Sequence, residues 1–104
     1  MPSPALSVVT TLYRSAPHLT EFHRRASAAA ARLTADYEIV LVNDGSPDDS
    51  LQAALAIHHV DAHVRIVDLA RNFGHHAALM AGLAAARGDL VFLLDSDLEE
   101  QPEW

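Results

Sequence analysis

Asp95 and Asp97 stand two residues apart, immediately after the apolar run Leu90-Val-Phe-Leu-Leu94. In an extended segment, side chains at i and i+2 point the same way, so both carboxylates face one site. Two like charges held that close are costly unless a cation or donors offset them. A hard divalent ion, Mg²⁺ or Mn²⁺, does so by taking one or two carboxylates together with substrate phosphate oxygens. Such an ion stabilises a departing nucleoside diphosphate as a Lewis acid. A solvated acidic loop is the competing reading of an isolated Asp-x-Asp, and its position after a strand shifts the balance toward chemistry.

Asp44 also follows an apolar strand and precedes Gly45-Ser46-Pro47. It reads either as a turn-forming charge or as a carboxylate that accepts hydrogen bonds from a nucleobase or ribose. Arg71 is the cation near this acidic edge; pairing with Asp68, pairing with an Asp of the site, and binding a phosphate are all open to it. His75 and His76 are neighbours on a helix and diverge. His58, His59 and His63 lack zinc spacing, so these histidines read as surface or internally bonded groups.

The elements that position these groups follow from periodicity. Leu6-Ser-Val-Val-Thr-Thr-Leu12 and Tyr37-Glu-Ile-Val-Leu-Val-Asn43 are near-continuous apolar runs, the pattern of strands covered on both faces. Val64-Arg-Ile-Val-Asp-Leu69 and residues 90–94 give a third strand and a buried fourth. Pro17 opens a helix whose apolar face is Leu19, Phe22, Ala26, Ala29 and Leu33. A second helix starts with Ser46 as cap, Pro47 in the first turn and Asp49 at capping-box spacing, and runs to about His59. A third spans residues 75–87 and is ended by Gly88; Gly82 within it marks close packing. The order βαβαβαβ predicts an α/β fold, Rossmann-like, with a mainly parallel sheet and helices on both faces. Ligands then bind beyond the carboxyl ends of the strands, where Thr11, Tyr13, Asp44, Asp68, Arg71, Asp95 and Asp97 converge.

Composition narrows the function classes. The chain has 104 residues, half of them apolar, enough for one small domain. A net charge of -7, with no lysine, disfavours a nucleic-acid partner. The acidity gathers at residues 44–49 and 95–103. There is no cysteine, hence no disulfide and no thiolate zinc site. The N-terminus lacks a signal-peptide pattern, and no apolar run approaches the ~20 residues of a membrane span. The absence of Gly-x-Gly-x-x-Gly after the first strand disfavours an NAD-type dinucleotide site.

Four stretches together resemble the N-terminal part of a family 2 glycosyltransferase with the GT-A fold, in the branch of dolichol-phosphate mannose synthase and the bacterial polyprenyl-phosphate glycosyltransferases. They are Ser7-Val-Val-Thr-Thr-Leu-Tyr13, Tyr37-Glu-Ile-Val-Leu-Val-Asn-Asp-Gly-Ser46, Leu69-Ala-Arg-Asn-Phe-Gly-His75 and Gly88-Asp-Leu-Val-Phe-Leu-Leu-Asp-Ser-Asp-Leu98. The resemblance implies an inverting transferase that moves a sugar from a UDP- or GDP-sugar to an acceptor such as a polyprenyl phosphate, at the cytoplasmic side of a membrane. It implies that Asp44 contacts the base, that Tyr13 and the backbone near Thr11 line the same pocket, and that Arg71 serves the donor. Asp95 and Asp97 would hold metal and diphosphate, with Asp97 ahead of Asp95 as direct ligand, Ser96 between them at the nucleotide sugar, and Glu99 where relatives place a Gln.

Three departures accompany the match. Relatives have Pro-Val-Tyr-Asn-Glu where this chain has Thr11-Leu-Tyr-Arg-Ser15, they more commonly have Asp-Leu-Gln-Asp-Pro-Pro-Glu where it has Asp97-Leu-Glu-Glu-Gln-Pro-Glu103, and they continue well beyond this length. The expectation is therefore one domain, residues 1–104, that holds the donor half of a truncated site. A non-catalytic nucleotide-binding module and another mononucleotide-binding domain, such as a nucleotidyltransferase, are the alternatives.

Overall fold

The computed structural model describes residues 4–12, 16–45, 49–69 and 71–93. Its elements are β1 (Leu6–Leu12), α1 (Ala16–Leu33), β2 (Tyr37–Asn43), α2 (Ser50–Val60), β3 (Val64–Asp68), α3 (His75–Ala85) and β4 (Leu90–Leu93). The strands form one parallel sheet in the order β3-β2-β1-β4. This is the expected α/β arrangement. All the carboxyl ends lie at one edge.

The two apolar runs read as central strands are the central strands. Along each, alternate residues serve different helices. Leu6, Val8, Leu12, Ile39, Leu41 and Val64 pack with Leu19, Phe22, Ala26 and Ala30 of α1 and Ala54 and Ile57 of α2. Val9, Val40 and Val42 meet Ala78 of α3 on the opposite face. Burial on both faces is why no polar alternation shows in β1 and β2. α3 approaches closely because residue 82 is glycine: a Cβ there would lie 2.5 Å from Val9 Cγ1 and 2.9 Å from Val42 Cγ2.

Several local expectations are corrected. The buried stripe of α1 runs Leu19, Phe22, Ala26, Ala30, while Leu33 in its last turn is exposed. α2 starts at Ser50 rather than just after Ser46; its N-cap is Asp49, which makes no side-chain cap bond. Ser46 and Pro47 lie outside the described residues. β3 ends at Asp68, and α3 ends at Ala85 with Ala86 as an extended C-cap. Gly88 is not a left-handed helix terminator, since the positive-φ glycines are Gly45 and Gly74. Glycine is needed at 88 for contact: a Cβ would come 2.6 Å from Ser7 N.

The largest correction concerns β4. It pairs with β1 over Leu6↔Leu90 to Val9↔Leu93, yet all four of its side chains are exposed. An apolar run predicts burial, but β4 is an edge strand, and among the described residues no helix packs on it. No helix among those residues is long and apolar enough to cross a membrane.

Candidate functional site

The carboxyl edge is assembled from β1, β2, β3 and the segment that leads into α3. Thr11 is half-buried near the end of β1. Asp44, directly after β2, is 3% exposed, and its N–H bonds to Leu12 O at 3.0 Å. Asp44 Oδ1 accepts the Phe73 N–H at 2.9 Å, which ties the end of β2 to the segment after β3. Gly45 makes this possible. It has φ +63°, and a Cβ on it would stand 2.3 Å from Asn72 N and 2.5 Å from Arg71 C. Any other residue would meet strain and a backbone clash together.

Asn72 Oδ1 accepts the Gly74 N–H at 2.9 Å and shapes the turn into α3. The Arg71 guanidinium lies over the Phe73 ring, 4.5 Å from its centroid. Of the options open to Arg71, pairing with Asp68 is not formed; Asp68 Oδ1 accepts from Asn43 Nδ2 at 2.9 Å. Asn43 is 5% exposed, and its own Oδ1 is buried with no hydrogen-bond partner. A buried orphan acceptor is costly and calls for a donor. α3 begins at this edge, and its N-cap Gly74 has no side chain with which to cap the first-turn N–H groups.

Thr11, Asp44 and Arg71 are thus at the predicted edge, with Asp44 held rigidly and Arg71 exposed. Tyr13, Asp95, Ser96, Asp97 and Glu99 lie outside the described residues. β4 runs parallel to β1 toward this edge and stops level with Val9, in sequence two residues before Asp95. Among the described residues no cluster of three or more His, Asp or Glu could hold a metal.

Three of the histidines, His23, His58 and His63, are internally bonded. His58 Nδ1 is 2.7 Å from Val64 O, and His63 Nδ1 is 2.8 Å from Tyr37 O with its ring stacked on Tyr37. His23 Nε2 meets Asp61 Oδ2 at 2.7 Å. Burial raises the Asp61 pKa, but the His23 contact and the His63 N–H outweigh it and hold the carboxyl below its usual range.

Sequence reasoning missed two features. One is the Phe73–Asp44 tie, legible only in the glycine that follows Asp44. The other lies at the opposite edge, where Glu38 interrupts the apolar run of β2 and is 4% exposed. It accepts from Ser7 Oγ at 2.5 Å, Arg65 Nη1 at 2.8 Å and Arg87 N at 2.7 Å. Desolvation opposes its charge; the Ser7, Arg87 and Arg65 bonds and the Arg65 charge prevail and lower its pKa. A lone acid in a buried strand was the available signal.

Residues 7–104 match the family described as Glycosyl transferase family 2. A Mycobacterium tuberculosis protein described among the glycosyltransferases is 60% identical over 93% of this chain and 28% of its own length. An undecaprenyl-phosphate 4-deoxy-4-formamido-L-arabinose transferase of Erwinia tasmaniensis is 48% identical over 94% of this chain and 30% of its own. Among solved structures, a mannosyltransferase from Pyrobaculum calidifontis in complex with GDP-mannose and Mn²⁺ superposes with a TM-score of 0.78 at 26% identity, over 91% of this chain and 28% of that one. The chain therefore spans less than a third of the length of these relatives. Its sheet order and the match over residues 7–104 agree: the chain belongs to glycosyltransferase family 2.

Proposed function

We propose that this chain is the donor-binding part of an inverting glycosyltransferase that takes a UDP- or GDP-sugar and delivers the sugar to an acceptor, a polyprenyl phosphate at the cytoplasmic face of a membrane. The observation that carries the reading is Asp44: a buried carboxylate at the carboxyl edge, with one oxygen fixed by Phe73 N–H and no donor to the other among the described residues. Such a group is oriented before any ligand arrives, which removes an ordering cost from binding.

In this reading Asp44 accepts an N–H of the base, and Thr11 and Tyr13 line the base pocket. Arg71 and the uncapped start of α3 meet the diphosphate. Asp95 and Asp97 hold a divalent cation, Mg²⁺ or Mn²⁺, with Ser96 and Glu99 beside it. Two carboxylates at this spacing, completed by phosphate oxygens, suit a hard oxygen-loving ion. When bound, the ion supplies charge stabilisation for the departing nucleoside diphosphate. The acceptor oxygen forms its bond to the anomeric carbon as the bond to the diphosphate oxygen breaks. A phosphate acceptor is already an anionic nucleophile and needs no base.

A nucleotide-binding module without turnover is the alternative that experiment must separate from this reading. Calorimetry with UDP- and GDP-sugars, with and without Mn²⁺, tests the site. The expected result is binding of one donor, strengthened by Mn²⁺, with the Mn²⁺ increment lost in Asp97→Ala. A folded chain with no metal-dependent binding, or with binding unchanged by that substitution, refutes the assignment. Product formation from a bound donor and a polyprenyl phosphate separates transferase from module.

A further inference from the structure

Phe73 is 48% exposed and lies outside both apolar clusters of the core. A lone exposed ring on a protein surface is ordinary and needs no function. The contacts of Phe73 are what single it out. Its main chain serves one group of the candidate site and its side chain serves another. The Phe73 N–H donates to Asp44 Oδ1 at 2.9 Å. The Arg71 guanidinium lies over the ring, with Cζ 4.5 Å from the centroid, inside the ~6 Å range of cation–π attraction. In the donor-site reading Asp44 takes the nucleobase and Arg71 the diphosphate, so one residue touches both.

The backbone around the ring is fixed. Gly45 lets the main chain of Arg71 and Asn72 come against it, where a Cβ would collide with Asn72 N. Asn72 Oδ1 accepts the Gly74 N–H at 2.9 Å. With Asp44 holding the amide between them, the point from which the Phe73 side chain starts is set. Arg71 stands differently, since its side chain is exposed. A free Arg samples many rotamers, and ordering it on a ligand weakens binding. Stacked on a ring whose own backbone is fixed, the guanidinium is ordered in advance. Stacking uses the guanidinium face, while its N–H groups point outward in the plane, where they can meet phosphate oxygens.

We propose that Phe73 is a positioning residue for Arg71: its amide is set by Asp44, and its ring holds the guanidinium ready for the phosphate end of the donor. The inference rests on the donor-site reading and deepens it. Phe73 acts through Arg71, so its ring matters to a nucleoside diphosphate and not to the nucleoside alone.

The test uses the full 104-residue chain and pairs of ligands that differ only in the diphosphate: uridine against UDP, and guanosine against GDP, titrated by NMR and calorimetry. Phe73→Leu keeps the main-chain N–H for Asp44 and removes the ring. The expected result is an unchanged nucleoside affinity and a nucleoside diphosphate affinity about two- to fivefold weaker, the worth of an exposed cation–π contact. Phe73→Tyr keeps a ring and wild-type affinity. With Arg71→Ala in place, Phe73→Leu has no further effect on either ligand, because the two side chains act as a unit. NMR reads the stack without any ligand: Arg71 side-chain protons are shifted upfield by the ring current and return to ordinary positions in Phe73→Leu. Equal losses of nucleoside and diphosphate affinity would make the ring a prop of the whole pocket and overturn the proposal. So would an unchanged diphosphate affinity, or the same loss in the Arg71→Ala background. If the wild-type chain binds neither diphosphate, the donor-site reading itself fails. If it binds one and the Arg71 signals are not shifted, that reading stands and the role of Phe73 falls.

Discussion

The amino and carboxyl edges of the sheet treat buried polar groups in opposite ways. At the amino edge the Glu38 carboxylate is shared among Ser7, Arg65 and Arg87, and both its oxygens are engaged. At the carboxyl edge Asp44 has one oxygen held by Phe73, Asn43 Oδ1 has no partner, and Arg71 rests on an exposed ring. A buried group whose hydrogen bonds are complete stabilises; one left incomplete costs stability and is retained where a ligand can complete it. One edge thus holds the fold together and the other keeps capacity for a ligand.

The strongest way to break this comparison is Glu38→Ala. It leaves Arg65 without its buried partner, and the expected loss is roughly 3–5 kcal/mol of stability, read as a lowered midpoint in urea. A loss under 1 kcal/mol would mean that the amino edge is not a clamp. Gly45→Ala comes next. Positive φ and the clash with Asn72 are expected to cost about 1–3 kcal/mol and to weaken donor binding, because Asp44 loses its tie to Phe73.

Acid sharpens the same contrast. Glu38 has a folded pKa below its ordinary value, so its stabilisation is fully present above about pH 4.3, the unfolded value, and is lost as pH falls through the folded one. Asp61 adds to this loss in the same direction. Urea midpoints measured from pH 6 down to pH 2 should fall for wild type, and the gap to Glu38→Gln should narrow over that window. A gap that stays constant with pH would show that the Glu38 charge contributes nothing.

Asp44→Asn isolates the carboxyl edge. An amide oxygen can still accept from Phe73 N–H, so the expected stability change is about 1 kcal/mol or less, while donor affinity drops tenfold or more as the charged acceptor is removed. The smallest stability effect belongs to Arg71→Ala. An exposed cation–π contact is worth about 0.5–1 kcal/mol, and the larger expected loss is in affinity for the diphosphate, read by titration with UDP and GDP.

The family and the order of elements were legible because they rest on local pattern. β1 and β2 match their apolar runs residue for residue, since a strand covered on both faces tolerates few polar positions. The Gly82 contact was also legible, because a glycine inside a helix costs stability unless something packs there. Other features were not. Leu33 and β4 look apolar enough to be buried, yet burial belongs to what stands opposite, and no neighbour covers either among the described residues. Gly88 looks like a helix terminator in sequence, and only its approach to Ser7 shows what it does.

The sequence by itself determined the α/β class, the parallel order of strands and helices, and the presence of acids after β2 and β4, because periodicity and residue type are local properties. Only the tertiary structure decided that Asp44 is locked by the Phe73 amide, that Arg71 stacks on Phe73, and that Glu38 ties the turn before β4 to β1 and β3. The Asp44 and Glu38 contacts join residues 27 to 49 positions apart. No local pattern encodes such distances; they exist only once the sheet has brought its strands side by side.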